Sequence, residues 1–212
     1  MGKSAGGEVL HKVVRLCAAA DPTCCVVALD LTNAYNSARR SACLAGIEGC
    51  RPELSAFVRL WYGRDSLYYF RDADGVVHEI RANEGVEQGD ALAPALFCYG
   101  LRRALARAQQ RLDAVIEEME GQQAVHILAY LDDIVLIAPP ELVELALEVL
   151  TEELRVNCDL ELTRRKLQVW RPDGGEPPVS LREWWKPLGM MLLGGPLDTE
   201  EKLRCPTKSL PR

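Results

Sequence analysis

The 212-residue chain is 48% hydrophobic and 26% charged, ordinary proportions for one large globular domain, or one domain with a small appendage, around a real core. Its formal net charge of −6 argues against a simple nucleic-acid binder, because phosphate backbones reward clustered Lys and Arg. No apolar run is long enough to span a bilayer and the Met-Gly-Lys-Ser start lacks a secretory segment, so no membrane partner is expected and the location is expected to be intracellular, in nucleus or cytoplasm.

Residues 8–20 carry Val9, Leu10, Val13, Val14, Leu16 and Cys17 at helical spacing and stop before Asp21-Pro22. Residues 24–29 then run apolar and β-branched, as a buried strand should, with Asp30 at its end. Helices are predicted over 37–47 and 52–62. A hairpin of 67–70 and 76–80 follows, turning at Asp72-Ala73-Asp74-Gly75. After Pro94, the stripe Phe97, Leu101, Ala104, Leu105, Ala108 and Leu112 predicts a long helix with Arg103, Arg107 and Arg111 on another face.

Residues 124–138 are apolar except for His126 and Asp132-Asp133, the pattern of a buried hairpin turning at the acids. The next helix, from 141 to about 156, buries Leu142, Leu145, Ala146, Val149, Leu150 and Leu154. Strand-like pieces follow at 160–162 and 167–170. From Arg171 the chain is rich in Pro and Gly, its strongly apolar parts being Trp184-Trp185, read as core, and 188–193. The eight cysteines lack Cys-x-x-Cys spacing and the three histidines lack paired-ligand spacing, so reduced thiols and no zinc site are expected. Alternating helices and apolar strands predict an α/β or α+β sheet with helices on one face.

Two apolar strands, 26–29 and 127–131, each deliver carboxylates at one end. Such acids repel in poor solvent unless a divalent cation compensates them, and oxygen ligands with few nitrogens or sulfurs point to magnesium or manganese. Taken by themselves, Asp132-Asp133 read more readily as a plain hairpin turn and Asp30 as a strand end.

The surrounding residues add more. Asp30-Leu31-Thr32-Asn33-Ala34-Tyr35-Asn36, Gln88-Gly89-Asp90-Ala91-Leu92-Ala93-Pro94 and Tyr130-Leu131-Asp132-Asp133 resemble, in order, the first three palm motifs of reverse transcriptases. Leu162-Thr163-Arg164-Arg165-Lys166 resembles the fourth, and Leu188-Gly189 is similar to the primer-gripping hairpin. Gly6-Gly7-Glu8, the Arg40 region and the spelling of the first motif resemble the non-LTR retrotransposon enzymes. The resemblance implies an α+β polymerase palm, an antiparallel sheet with helices packed on one face, over residues 1–195. A partial fingers region, an absent thumb and a tail over 196–212 that begins a truncated thumb connection complete that expectation.

The same resemblance implies RNA-directed DNA synthesis from an RNA template, a DNA primer and dNTPs. Asp30, Asp132 and Asp133 would hold two Mg²⁺ or Mn²⁺ ions. Lys166 would protonate or steady the departing pyrophosphate, its other reading being a solvated lysine. Tyr35 would pack under the incoming sugar, and Gln88 and Gly89 would lie against the nascent base pair. Asp90 has a second reading as a helix cap. Leu188 and Gly189 would contact nucleic acid. Arg103, Arg107 and Arg111 would do so by tracking phosphate, or else form a solvated helix face. Ala91 departs from the family's usual proline. An inactive palm-like module for nucleic-acid binding or assembly is the alternative function.

Overall fold

The computed structural model describes residues 6–119 and 124–198. Helix α1 (Gly6–Ala20) leads into strand β1 (Cys25–Leu29), a single turn α2 (Ala34–Ser37), and helices α3 (Arg40–Cys50) and α4 (Pro52–Tyr62). The ribbon β2 (Ser66–Arg71) and β3 (Val77–Ala82) precedes the long helix α5 (Ala93–Glu117). The hairpin β4 (His126–Tyr130) and β5 (Asp133–Ala138), helix α6 (Val143–Cys158), strand β6 (Gln168–Trp170) and the small hairpin β7 (Met190–Leu192) and β8 (Gly195–Leu197) complete the order.

The period-2 alternation of the strands divides the core into two layers. Cys25, Val27 and Leu29 of β1 join Ile134, Leu136 and Ala138 of β5 and Val169 of β6 against the helices α3 to α6. Cys24, Val26, Val135, Ile137 and Trp170 face the opposite way, where Leu10, Val14 and Ala18 of α1 and the β7–β8 hairpin cover them. The sheet order is β4-β5-β1-β6, and each adjacent pair is antiparallel. The α+β class and the helical layer are as the sequence implied, with α1 sealing the second face.

Two helical contacts fix that layer. Gly46 of α3 lets α5 approach so closely that a Cβ there would stand 2.3 Å from the Tyr99 carbonyl. Buried Glu153 of α6 takes a 2.8 Å bond from Arg111 and a 2.7 Å bond from Asn157, with Arg107 at 3.8 Å. A buried carboxylate is tolerable here because its charge is matched and its lone pairs are filled.

Several boundaries shift from the sequence reading for local reasons. The helix expected from 37 splits into α2 and α3, because Arg39 leaves the helical region and donates its N–H to the Cys158 carbonyl at 2.7 Å. The piece at 160–162 contributes one bridge, Leu31 with Leu162, as its neighbours bond to the segment after β1. Trp184 packs against the main core and Trp185 bridges to Val169. Strand β8 ends at buried Leu197, inside the tail expected from 196, and 199–212 lie outside the described residues.

The described cysteines are free. Burial pushes the Cys24 and Cys43 thiols up to about 12 and those of Cys25 and Cys158 to about 11, so they behave as inert apolar groups. Among the described residues no helix is long and apolar enough to cross a membrane.

Candidate functional site

Register brings the acids together. Leu29 pairs with Ile134 at the end of the β1–β5 ladder, and one step further along stand Asp30 and Asp133. In the adjoining hairpin Tyr130 pairs with Asp133, so the turn residues are Leu131 and Asp132. Asp133 therefore opens β5 instead of lying in the turn. Leu131 has φ 58°, a costly conformation for a branched residue, and such strain is held where the surroundings over-determine it.

The lysine arrives by continuation of the sheet. Thr32 donates its N–H to the Glu161 carbonyl and Thr163 donates its own to the Asp30 carbonyl, both at 2.8 Å. The hydroxyls of Thr32 and Thr163 are also 2.8 Å apart. A 3₁₀ turn over Arg164–Lys166 then carries the Lys166 ammonium to 2.6 Å from Oδ2 of Asp30. Oδ2 is closed off from solvent, and this ion pair is its contact among the described residues.

The electrostatics show which groups share a field. Desolvation, then the negative charges of Asp132 and Asp30, raise the Asp133 carboxyl above its ordinary value. The hydrogen bond and charge of Asp30, with a further contribution from Asp132, raise Lys166 and keep it protonated. Burial raises the Tyr35 phenol, and Asp132 and Cys98 add to the effect. Asp30, Asp132, Asp133, Lys166 and Tyr35 thus form one constellation.

Among the described residues no three His, Cys, Asp or Glu side chains are arranged to hold a metal ion. The chemistry of the donors nonetheless suits a hard divalent cation: the acids offer oxygen donors alone, and the charges of Asp132 and Asp30 act on Asp133.

Tyr35 stacks on Phe97 at 4.8 Å between ring centroids and 14° between planes. Its carbonyl accepts the Val86 N–H at 2.7 Å, which seats the segment leading into Gln88 and Gly89. Gln88 and Gly89 form an exposed turn, with Gly89 at φ 98°. Asp90 accepts the Leu92 N–H at 2.9 Å and the hydroxyl of Tyr62, which fastens the turn leading into α5, whose N-cap position is Leu92 without a side-chain cap bond.

The remaining expected residues stand apart from the acids. Arg107 and Arg111 are engaged with Glu153, which accounts for them as an α5–α6 tie. Arg103 lines a cavity of about 570 Å³ between α3 and α5 together with Arg39 and Arg102. Leu188 is exposed beside the β7–β8 hairpin, and Gly189 there has φ 110°. Sequence reasoning missed the partners Phe97 and Tyr62 and the role of buried Arg40, whose contacts come from distant segments and leave no local pattern.

A family model described as reverse transcriptase (RNA-dependent DNA polymerase) matches residues 3–194. The chain is 35% identical over 115 residues to a retrotransposable element SLACS 132 kDa protein of Trypanosoma brucei gambiense, a match covering 53% of this chain and 9% of that protein. Its fold resembles that of telomerase from Candida albicans in complex with a fragment of telomeric RNA, with TM-score 0.63 and 14% identity over 92% of this chain and 34% of that one. Apo telomerase from Candida tropicalis gives TM-score 0.56 and 16% identity over 90% and 35%. The chain spans under a tenth of the curated relative and about a third of the telomerase chains.

Proposed function

The chain belongs to the reverse transcriptase (RNA-dependent DNA polymerase) family, and on that premise we propose that it is the palm-centred core of a retroelement polymerase that adds dNTPs to a DNA primer on an RNA template. The observation that carries this is the register that sets Asp30 opposite Asp133 at one end of the sheet, next to Asp132 in the turn, with the Lys166 ammonium on Asp30. Similarity to a retrotransposable-element protein supports the retroelement part. The spelling of residues 30–36 supports the non-LTR type.

Asp30 and Asp132, with Asp133 beside them, are the residues to hold two Mg²⁺ or Mn²⁺ ions. When bound, such ions lower the pKa of the primer 3′-hydroxyl and neutralise the triphosphate. Lys166, held protonated next to Asp30, is suited to donating a proton to departing pyrophosphate or steadying its charge. Tyr35, backed by Phe97, forms the wall under the sugar and leaves no room for a 2′-hydroxyl.

Gln88 and Gly89 form the wall beside the nascent base pair. Leu188 and Gly189 support the primer, and Arg103 and Arg107 are assigned to nucleic-acid phosphate, Arg107 at the expense of its tie to Glu153. Primer extension on an RNA template with dNTPs and Mg²⁺ or Mn²⁺ is the test. Extension by the chain and its loss in Asp132→Asn is the expected result; equal signal from both would remove the enzymatic reading.

A further inference from the structure

Arg40 opens α3 and is 5% exposed. A buried guanidinium needs its donors filled. Here Nε donates to the Gly85 carbonyl at 3.0 Å, Nη1 to that of Arg64 at 2.9 Å, and Nη2 to that of Glu84 at 3.2 Å. The cation also lies 5.6 Å from the centre of the Tyr62 ring. Glu84 reciprocates, its carboxylate accepting the Arg40 N–H at 3.0 Å at the start of α3, where helix polarity favours negative charge. Arg64 precedes β2 and Glu84 follows β3, so one side chain ties together both roots of the ribbon.

The segment after the ribbon is anchored at two places, one of them the backbone that carries Tyr35. Gly85 donates to the Ala38 carbonyl at 2.9 Å and Val86 to that of Tyr35 at 2.7 Å. Gly85 is at φ +70°, and a Cβ there would stand 2.3 Å from the Asn36 carbonyl, so the two segments touch backbone to backbone. Beyond them, the Tyr62 hydroxyl accepts the Glu87 N–H at 3.4 Å and donates to Asp90. Gln88 and Gly89 hang between these two anchorages.

We infer that Arg40 is the positioning residue for nucleotide selection: by clamping Arg64, Glu84 and Gly85 over the Tyr62 ring, it sets the separation between the Tyr35 wall and the Gln88-Gly89 wall. This rests on the polymerase reading above. The fork of a guanidinium meets three carbonyls at once, whereas the compact ammonium of lysine retains the charge without that geometry. A displaced wall weakens alignment of the incoming nucleotide more than it affects the acids.

The test compares wild type with Arg40→Lys and Tyr62→Phe, using steady-state single-nucleotide incorporation together with hydrogen exchange of residues 84–90 and of the central strands. Arg40→Lys is expected to raise KM for the correct dNTP by about tenfold and to increase misincorporation, with kcat changed less than about threefold, as suits a misplaced pocket wall. Exchange should accelerate at Gly85 and Val86 while β1 and β5 stay protected. Tyr62→Phe should shift KM in the same direction, and the double variant should cost less than the sum of the two.

A folded Arg40→Lys protein with wild-type KM and fidelity would overturn the inference. An equal loss of protection throughout the sheet would overturn it too, since Arg40 would then be general scaffolding. If wild type extends no primer, the polymerase reading fails separately. The clamp is then decided by exchange alone: selective deprotection of 84–90 upholds it, and unchanged protection ends it.

Discussion

The ammonium of Lys166 lies 2.6 Å from Oδ2 of Asp30, because two backbone hydrogen bonds extend the sheet past β1 and align the segments bearing the two residues. The Lys166 side chain is largely exposed although Oδ2 of Asp30 is not, so the pair is a matter of position more than of stability. Lys166→Ala is therefore expected to lower primer extension by about 100-fold, within the range of general acid catalysis. Its melting temperature at neutral pH should match wild type. Rapid-quench extension assays with melting curves check both, and an unaltered rate would leave Lys166 a solvated lysine.

The raised Asp133 carboxyl gives a pH dependence with a definite sign. A raised value means that the folded state binds the proton more tightly than the unfolded chain does. The associated stability is full below the ordinary aspartate value of 3.8 and is lost as pH rises through the raised one. At neutral pH without metal the ionised cluster therefore destabilises the fold. Asp133→Asn should melt higher than wild type at pH 7 in EDTA, by about 1–2 °C given solvent screening, and the gap should close towards pH 4. A variant that melts lower at pH 7 would contradict this.

Tyr35 rests face to face on Phe97, which fixes the ring without consuming its hydroxyl in that contact. Tyr35→Ala should open the space under the sugar and raise incorporation of ribonucleotides relative to deoxynucleotides by about 100-fold, the scale expected for loss of a steric exclusion. Tyr35→Phe should retain discrimination. Competition between each rNTP and its dNTP reads this out, and equal selectivity in all three proteins would dismiss the sugar-wall assignment.

Glu153 supplies a stability prediction independent of catalysis. Burial by itself would raise its carboxyl, but the hydrogen bonds from Arg111 and Asn157 and the charges of Arg111 and Arg107 bring it below the ordinary value. That contribution is present above the ordinary value of 4.5 and is lost as pH falls through the lowered one. Glu153→Ala should lower unfolding stability by about 1–2 kcal/mol at pH 7, since it removes the bonds from Arg111 and Asn157 and leaves Arg107 without this partner, while Arg111 keeps its 2.8 Å pair with Glu152. Denaturant melts at pH 7 and pH 3 should show a smaller penalty at the lower pH.

Apolar periodicity made most elements legible. The strands β1 and β5 stand out as continuous apolar runs because both faces of the sheet are covered, and the stripe of α5 repeats at helical spacing because one side meets the sheet. Ordered motif spellings identified the acids, Lys166 and Tyr35. Residue type did not reveal that Arg107 and Arg111 pair with Glu153, for an exposed arginine stripe and a helix-to-helix tie have the same spacing. Nor could it assign a purpose to Arg40, since its three carbonyl partners carry no sequence signature.

The order of residues by itself thus determined the central strands, most helices and the identity of the candidate catalytic groups, because burying continuous or helically spaced apolar side chains is a local requirement. The tertiary structure decided the rest: that Asp133, rather than Asp132, opens β5 beside Asp30, that α1 seals the second face, and that one buried guanidinium gathers both roots of a ribbon. Register, charge pairing and backbone hydrogen bonding between distant segments depend on relative placement, which no single stretch of chain encodes.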